Sequence, residues 1–494
     1  MGDDPVGAET GPEQASGENI GKRVFAGGSW RTLAFAFASA LGVVMTAVVS
    51  RSLGPPDFAL FTTAMSLVTI ALSLSDVGLL ALGIREYAAR PVPERDRGQR
   101  ALITLRLLAS IVTSIGIVAF AVAKQYPTDL IWGLVAAGFG VCALSLFMSY
   151  TVPLQATYRL GQVAALEAGR QTIQASLMIV CAVVFASAGW VIAVFLPTGV
   201  VMAVVAGLVS RKMSPVLPGF NLKEIWSFVA LAGAFAITAA FGSNYAYVAQ
   251  IVSGSVLSAH ESGMFSMAFR VFVVVAAAFA TAVGGAFPLF VTTSGEGDRA
   301  RLAYATRRLL QSALLAGVGV SVLLITGAGF AIALLGGAEF ADATPALAAI
   351  GLAVPGSYLA VVLAMNLLAE REHRTVVTVT VIGAVLGVCV TAAAATSFGP
   401  VGAAVGIIVG EYVIALSYAV KVAMIDRRSV PTIGWITGVV AVGVFACLPA
   451  LLAVPSFVSA MAAGILFIIL TALLKLIPPE LTDPIRSRLG REGG

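Results

Sequence analysis

Apolar runs of about 20 residues recur from Arg31 to Pro478, separated by short polar stretches, and about 20 apolar residues in a helix cross the hydrocarbon of a bilayer. A chain written this way has few folds open to it. In hydrocarbon every backbone N–H and C=O must be satisfied, so only helices or a closed barrel span. The runs are continuous rather than alternating, which selects helices. Only 11% of the residues are charged and mean hydropathy is +0.97, whereas an ordinary soluble domain is about one-quarter charged. The expected fold class is all-α, a polytopic membrane protein.

Spans are expected at 30–50, 58–84, 103–123, 130–150, 171–188, 190–209, 226–251, 263–291, 309–335, 344–368, 375–396, 401–424, 434–453 and 457–477, about fourteen transmembrane helices in all. Basic residues orient them, because short cytoplasmic loops retain Lys and Arg. With the N-terminus inside, all but three of the 30 Lys and Arg residues fall on the cytoplasmic side. Arg51 and Lys124 fall outside, and Arg270 lies mid-span. Trp30, Trp132, Trp190, Trp226 and Trp435 all sit at span ends, where amphipathic rings prefer the headgroup level. Both termini are expected in the cytoplasm.

Residues 1–21 are acidic, carry Gly and Pro, and lack the apolar core of a cleavable signal peptide; a disordered cytoplasmic tail is expected over 1–29. The C-terminal tail, 478–494, is basic, which suits anionic lipid. Of the cytoplasmic linkers, RPVPERDRGQR (90–100) reads as a loop and TVPLQATYRLGQVAALEAGR (151–170) as a short helix on the membrane surface. The four cysteines lie inside apolar runs and read as small hydrophobes. His260 and His373 fall in loops, and no metal-ligand cluster, nucleophile–base spacing or phosphate-cradling loop is present. ATP hydrolysis by this chain is not expected, nor a bound metal or cofactor, nor a nucleic-acid partner.

Two stretches about 200 residues apart resemble each other. DFALFTTAMSL (57–67) aligns with ESGMFSMAFRV (261–271), and DRGQRALITLRLL (96–108) with DRARLAYATRRLL (298–310). Spans 1, 2 and 3 then correspond to spans 7, 8 and 9, a parallel repeat of the kind that places a substrate site where the halves meet.

Polar residues form stripes on several spans. Thr62, Ser66, Thr69, Ser73 and Asp76 recur at steps of four and three, which keeps them within about 80° of arc. Span 8 carries Ser266, Arg270, Thr281, Gly284 and Pro288; span 1 carries Thr32, Ser39, Gly42, Thr46 and Ser50. Polar stripes face the protein interior or a water-filled cavity, so these spans are expected to line one space. Pseudosymmetry adds span 7, with Ser243, Tyr247 and Gln250. Asp76 and Arg85 lie about 13 Å apart along the axis on opposite faces and cannot pair. Arg270 is a bidentate partner for phosphate, and Asp76 and Glu411 are candidate coupling carboxylates. The structural alternative is that neighbouring Ser, Thr or Tyr satisfies each charge. Glu411 adjoins the spaced glycines Gly402, Gly406 and Gly410, a pattern of close helix packing. Pro197 and Pro355-Gly356-Ser357 are expected to break their helices.

The chain resembles the polysaccharide flippases, including the O-antigen type, of the multidrug/oligosaccharidyl-lipid/polysaccharide exporter superfamily. The likeness rests on SRSLGPPDFALF (50–61), SDVGLLALGIREYA (75–88), ESGMFSMAFR (261–270) with AFPLF (286–290), and FGPVGAAVG (398–406). It implies two six-helix lobes in a V, an N-lobe of 30–209 and a C-lobe of 210–424, with two added helices over 425–477. It implies alternating access in a bacterial inner membrane, and a substrate of isoprenoid-pyrophosphate-linked glycan, flipped from inner to outer leaflet in polysaccharide biosynthesis for the cell envelope or exopolysaccharide. Arg270 would then contact pyrophosphate and Asp76 would be a cavity carboxylate. Proton or sodium coupling, and contact with glycan polymerase machinery, also belong to that resemblance. Where the family often has several cavity cations and a helix-7 carboxylate, this chain has one mid-span cation, with Asn244 and Gln250 on span 7. Two alternatives stand beside it: an ion-coupled antiporter of the same fold exporting drugs or metabolites, and, more distantly, a membrane glycosyltransferase or glycan polymerase.

Overall fold

The computed structural model describes residues 17–215, 217–230, 244–284, 290, 299–451 and 454–477, with side chains described from residue 40 onward. Among the described residues the chain is helical and contains no strand. Helix α1 (Gly17–Asp76) begins inside the stretch expected to be tail and is two helices joined at Gly54 (φ 70°, ψ 171°) and followed by Pro55 and Pro56. The glycine takes a backbone that other residues resist, and proline starts the next helix because its missing N–H is not needed there. α14 (His373–Ile425) repeats the device at Gly399 (φ 57°) and Pro400. Among the described residues eleven stretches are long and apolar enough to cross a membrane, and two of them, Ala40–Ala89 and His373–Ile425, contain these breaks. The seventh expected span, 226–251, contains 231–243, which lie outside the described residues. The end carrying Arg51 and Lys124 is called the outer end here, after the charge assignment.

The N-lobe is α1, α2 (Leu79–Ala89), α3 (Val92–Ala123), α4 (Thr128–Ala156), α5 (Leu160–Phe185), α6 (Ala188–Ala193) and α7 (Phe195–Ser210). α4 is its axis, packed on α3 and α7. Apolar burial gives helices little reason to associate inside lipid, so close approach decides. A methyl group on Gly140 would lie 2.4 Å from the Phe195 carbonyl carbon. A helix starting at 222, α8, precedes α9 (Tyr245–Val256) and α10 (Ala259–Gly284). α11 (Arg299–Leu335), α12 (Thr344–Gly351), α13 (Ala353–Ala369) and α14 complete the C-lobe. α15 (Ile433–Ala446) and α16 (Ser456–Leu473) pack on α11 through Val439, Val442 and Phe467. The lobes meet where α1 lies against α9 and α10.

Two further sequence expectations change. Residues 92–100 are helix, the first turns of α3. Residues 151–170 are no separate surface helix; they complete α4 and begin α5, with a break at Tyr158 (φ 58°). Pro153 sits inside α4 and cannot donate to the Ser149 carbonyl, and Gln99 of α3 donates to that carbonyl instead at 2.8 Å. Pro197 and Pro355 fall, as expected, at breaks, each in the first turn of a restarted helix.

The segment after α7 is tied to the N-lobe. Gly219 N–H donates to the Thr104 hydroxyl at 3.0 Å, Tyr87 donates to the Met213 carbonyl at 2.8 Å, and Arg90 joins Glu86 and Glu224 at 2.9 and 2.8 Å. Phe228 of α8 is buried among Leu79, Leu82, Leu102 and Val152.

Candidate functional site

The site is built from the polar faces of α1, α9 and α10 at the junction of the lobes. Asp76 ends the second arm of α1, and the chain then turns through Val77 (φ 39°) and Gly78 (φ 76°) before α2 begins. Its carboxylate accepts the Leu80 N–H at 3.2 Å, capping the restarted helix. It also pairs with Arg106 of α3. The Arg106 side chain is 2% exposed and that of Asp76 42%, so the carboxylate stands at an accessible wall with its counter-charge behind it. Beside Asp76, the hydroxyls of Ser75 and of Thr113 on α3 meet at 3.0 Å. The Arg106 Nε and Nη1 atoms are buried without a hydrogen-bond partner among the described residues. Arg106 is the residue the sequence reading missed, being counted with the cytoplasmic ends; it is a cation buried within α3.

The stripe on α1 is satisfied largely within its own helix. Thr62 donates to the Phe58 and Ala59 carbonyls, Ser66 to Thr62, Thr69 to Met65, and Thr46 to Gly42, at 2.7–3.0 Å. Thr62, Ser66 and Thr46 are buried, whereas Thr69, Ser73 and Asp76 are half-buried. Ser73 crosses the junction, accepting from Asn244 Nδ2 at 2.8 Å. Deeper in the C-lobe, Gln250 donates to Ser266 at 2.7 Å, both fully buried. Side chains of Thr32 and Ser39, and residues Ser243 and Pro288, lie outside what is described.

Arg270, on α10, is half-buried and faces the Tyr247 phenol, whose ring packs edge-on against Phe269 at 5.9 Å. Among the described residues no carboxylate lies within ion-pair distance of it. Glu411 is elsewhere, buried inside the C-lobe, where the Tyr245 and Ser357 hydroxyls face its carboxyl. Gly356 lets α13 come so close that an added methyl would sit 3.3 Å from Glu411 Cβ. Gly402 and Gly406 press the two arms of α14 together; a methyl on Gly406 would lie 2.0 Å from Thr391 Oγ1. The glycine run is packing.

The structure thus brings Ser73 to Asn244, Gln250 to Ser266 and Arg270 to Tyr247, while Asp76 pairs with Arg106 and Glu411 is buried in the C-lobe. An apolar groove of about 310 Å³ lies between α11, α13, α14 and α15.

Two helical lobes meeting along polar faces make up the fold. It is similar to a structure of the lipid II flippase MurJ in an inward closed conformation, with TM-score 0.75 and 14% identity over 90% of this chain and 98% of that one. It is also similar to an inward-facing multidrug resistance MATE family transporter of the MOP superfamily, with TM-score 0.63 and 13% identity over 79% and 95% of the two chains. An outward-facing structure described in the same words gives 0.55, at 13% identity over 81% and 95%. No curated protein matches the sequence. Residues 48–345 match the family described as polysaccharide biosynthesis protein. The chain belongs to that family.

Proposed function

We propose that this protein flips an isoprenoid-pyrophosphate-linked glycan from the inner to the outer leaflet of a bacterial inner membrane, with both termini in the cytoplasm. The observation that carries the reading is the charge balance at the junction. Asp76 is neutralised by Arg106 and Glu411 is withdrawn into the C-lobe, while Arg270 has no acidic partner among the described residues. A site whose uncompensated charge is a guanidinium suits an anionic head group. A cationic-drug antiporter would need the reverse. The hydroxyls and amides of Thr69, Ser73 and Asn244 suit sugar, and membership of a polysaccharide biosynthesis family agrees with such a substrate. Two lobes that rock about the junction would carry the head across while the tail stays in lipid. Any proton or sodium coupling falls to Glu411, the carboxylate that is buried without a cationic partner among the described residues, and glycan polymerase machinery is the natural recipient of the product.

The test is flipping by purified protein in liposomes, using a fluorescent undecaprenyl-pyrophosphate sugar placed in one leaflet. Protein-dependent flipping that is lost in a folded Arg270→Ala variant supports the proposal. No flipping of any anionic glycan lipid, together with ion-driven uptake of a soluble cation, overturns it in favour of the antiporter.

A further inference from the structure

A helix leaves its last four carbonyls without partners of its own, and those of α11 end at the outer junction of the lobes. The Ile332 carbonyl takes the Gly336 N–H at 2.7 Å. The next three are taken by the other lobe. Ser50 Oγ donates to the Leu335 carbonyl at 2.9 Å, and Arg51 Nη2 donates to those of Leu334 and Ala333 at 2.8 and 3.1 Å. Arg51 also brings positive charge to the negative end of the helix. Around this contact the lobes are in close register. Phe58 meets Phe340 edge-on at 5.5 Å, both fully buried. Gly263 lies so near the Pro55 carbonyl that an added methyl would come within 2.2 Å of its oxygen.

We infer that Ser50 and Arg51 form an interlobe latch, in which the N-lobe caps the C-terminus of α11 and thereby favours the state closed at the outer end. Opening at that end requires α1 to part from α10 and α11, and three carbonyls then lose their donors together. Ser50 is fully buried and Arg51 is exposed. Water reaches the rim and can replace the guanidinium, so the latch biases an equilibrium between two states. It rests on the transport reading only in requiring two states; the substrate does not enter.

The experiment places spin labels at Pro56 and Ala341, exposed residues on the two sides of the contact. The native cysteines are replaced by Ala, and distances are read by double electron–electron resonance in nanodiscs. Wild type is expected to give a narrow short distance. Arg51→Ala should raise the long-distance population on the order of tenfold, the loss of a charge-assisted hydrogen bond. Ser50→Ala/Arg51→Ala should raise it further. Arg51→Lys, a point donor rather than a fork, should fall between wild type and Arg51→Ala. An unchanged melting temperature marks an intact fold, and if the double variant does not fold, the two single variants at Arg51 decide. Unchanged distances in folded Arg51→Ala overturn the latch. A chain that flips no glycan leaves these distances as they are, so the two proposals fail separately.

Discussion

Removing Asp76 and removing Arg106 should not cost the same, although the two side chains form one pair. Asp76→Ala strands a guanidinium that is 2% exposed; a buried charge left without its partner costs about 3–5 kcal/mol. Arg106→Leu instead strands a carboxylate that is 42% exposed and still caps Leu80. Solvent then supplies most of what the guanidinium gave, and the cost should be about 1–2 kcal/mol. The double variant Asp76→Ala/Arg106→Leu leaves no charge at all. It should cost about 1–3 kcal/mol, well under the roughly 4–7 kcal/mol of the summed singles. Steric trapping in bicelles measures these unfolding free energies directly. A double variant as unstable as the sum, or Arg106→Leu costing more than Asp76→Ala, refutes the reasoning. Flipping by the double variant then separates structure from transport: full activity makes the pair a brace for the break at Val77 and Gly78, and loss gives the carboxylate a contact with substrate.

Arg270→Lys should retain part of the flipping that Arg270→Ala loses, with KM for the lipid-linked glycan raised, because an ammonium cannot grip phosphate in two places. Glu411→Gln should leave the melting temperature within a few degrees of wild type and make flipping insensitive to an imposed proton or sodium gradient; a response that survives moves coupling away from Glu411. Gly406→Ala should destabilise by about 1–3 kcal/mol through overpacking between the arms of α14, and an unfolding free energy equal to wild type shows that the arms can part without cost.

The helices and most of their interruptions were legible in the sequence, because an apolar run and a Gly-Pro pair each act locally. Gly54-Pro55 and Gly399-Pro400 stand where the breaks are. Pro153 is tolerated within α4 for a non-local reason: the carbonyl it leaves free is satisfied by Gln99, fifty positions away. Ser73 of the stripe bonds Asn244 and Ser266 bonds Gln250 of α9, yet periodicity could not say that Thr62, Ser66 and Thr69 would donate to their own backbone. Arg106 escaped because the edge of the bilayer was drawn near residue 103, which made it a loop-side cation. α3 begins at Val92, and Arg106 stands four turns into it. A signal was present, since Arg106 occupies a matched position in the DRGQRALITLRLL repeat, as does Thr104. Thr104 and its counterpart Thr306 are both buried, each bonded to another element, Thr104 to Gly219 and Thr306 to Asn366.

The attachment of 213–228 to the N-lobe bears on how the gene could be divided. A half-molecule ending after α7 would keep its membrane helices but lose Phe228 from among Leu79, Leu82 and Leu102, and would leave Arg90 without Glu224. That end would expose an apolar patch, the kind of surface that makes a separately translated fragment stick to others. A fragment carried through residue 230 brings its own cover. For two genes meant to reassemble this protein, the sensible stop codon follows α8 and not α7.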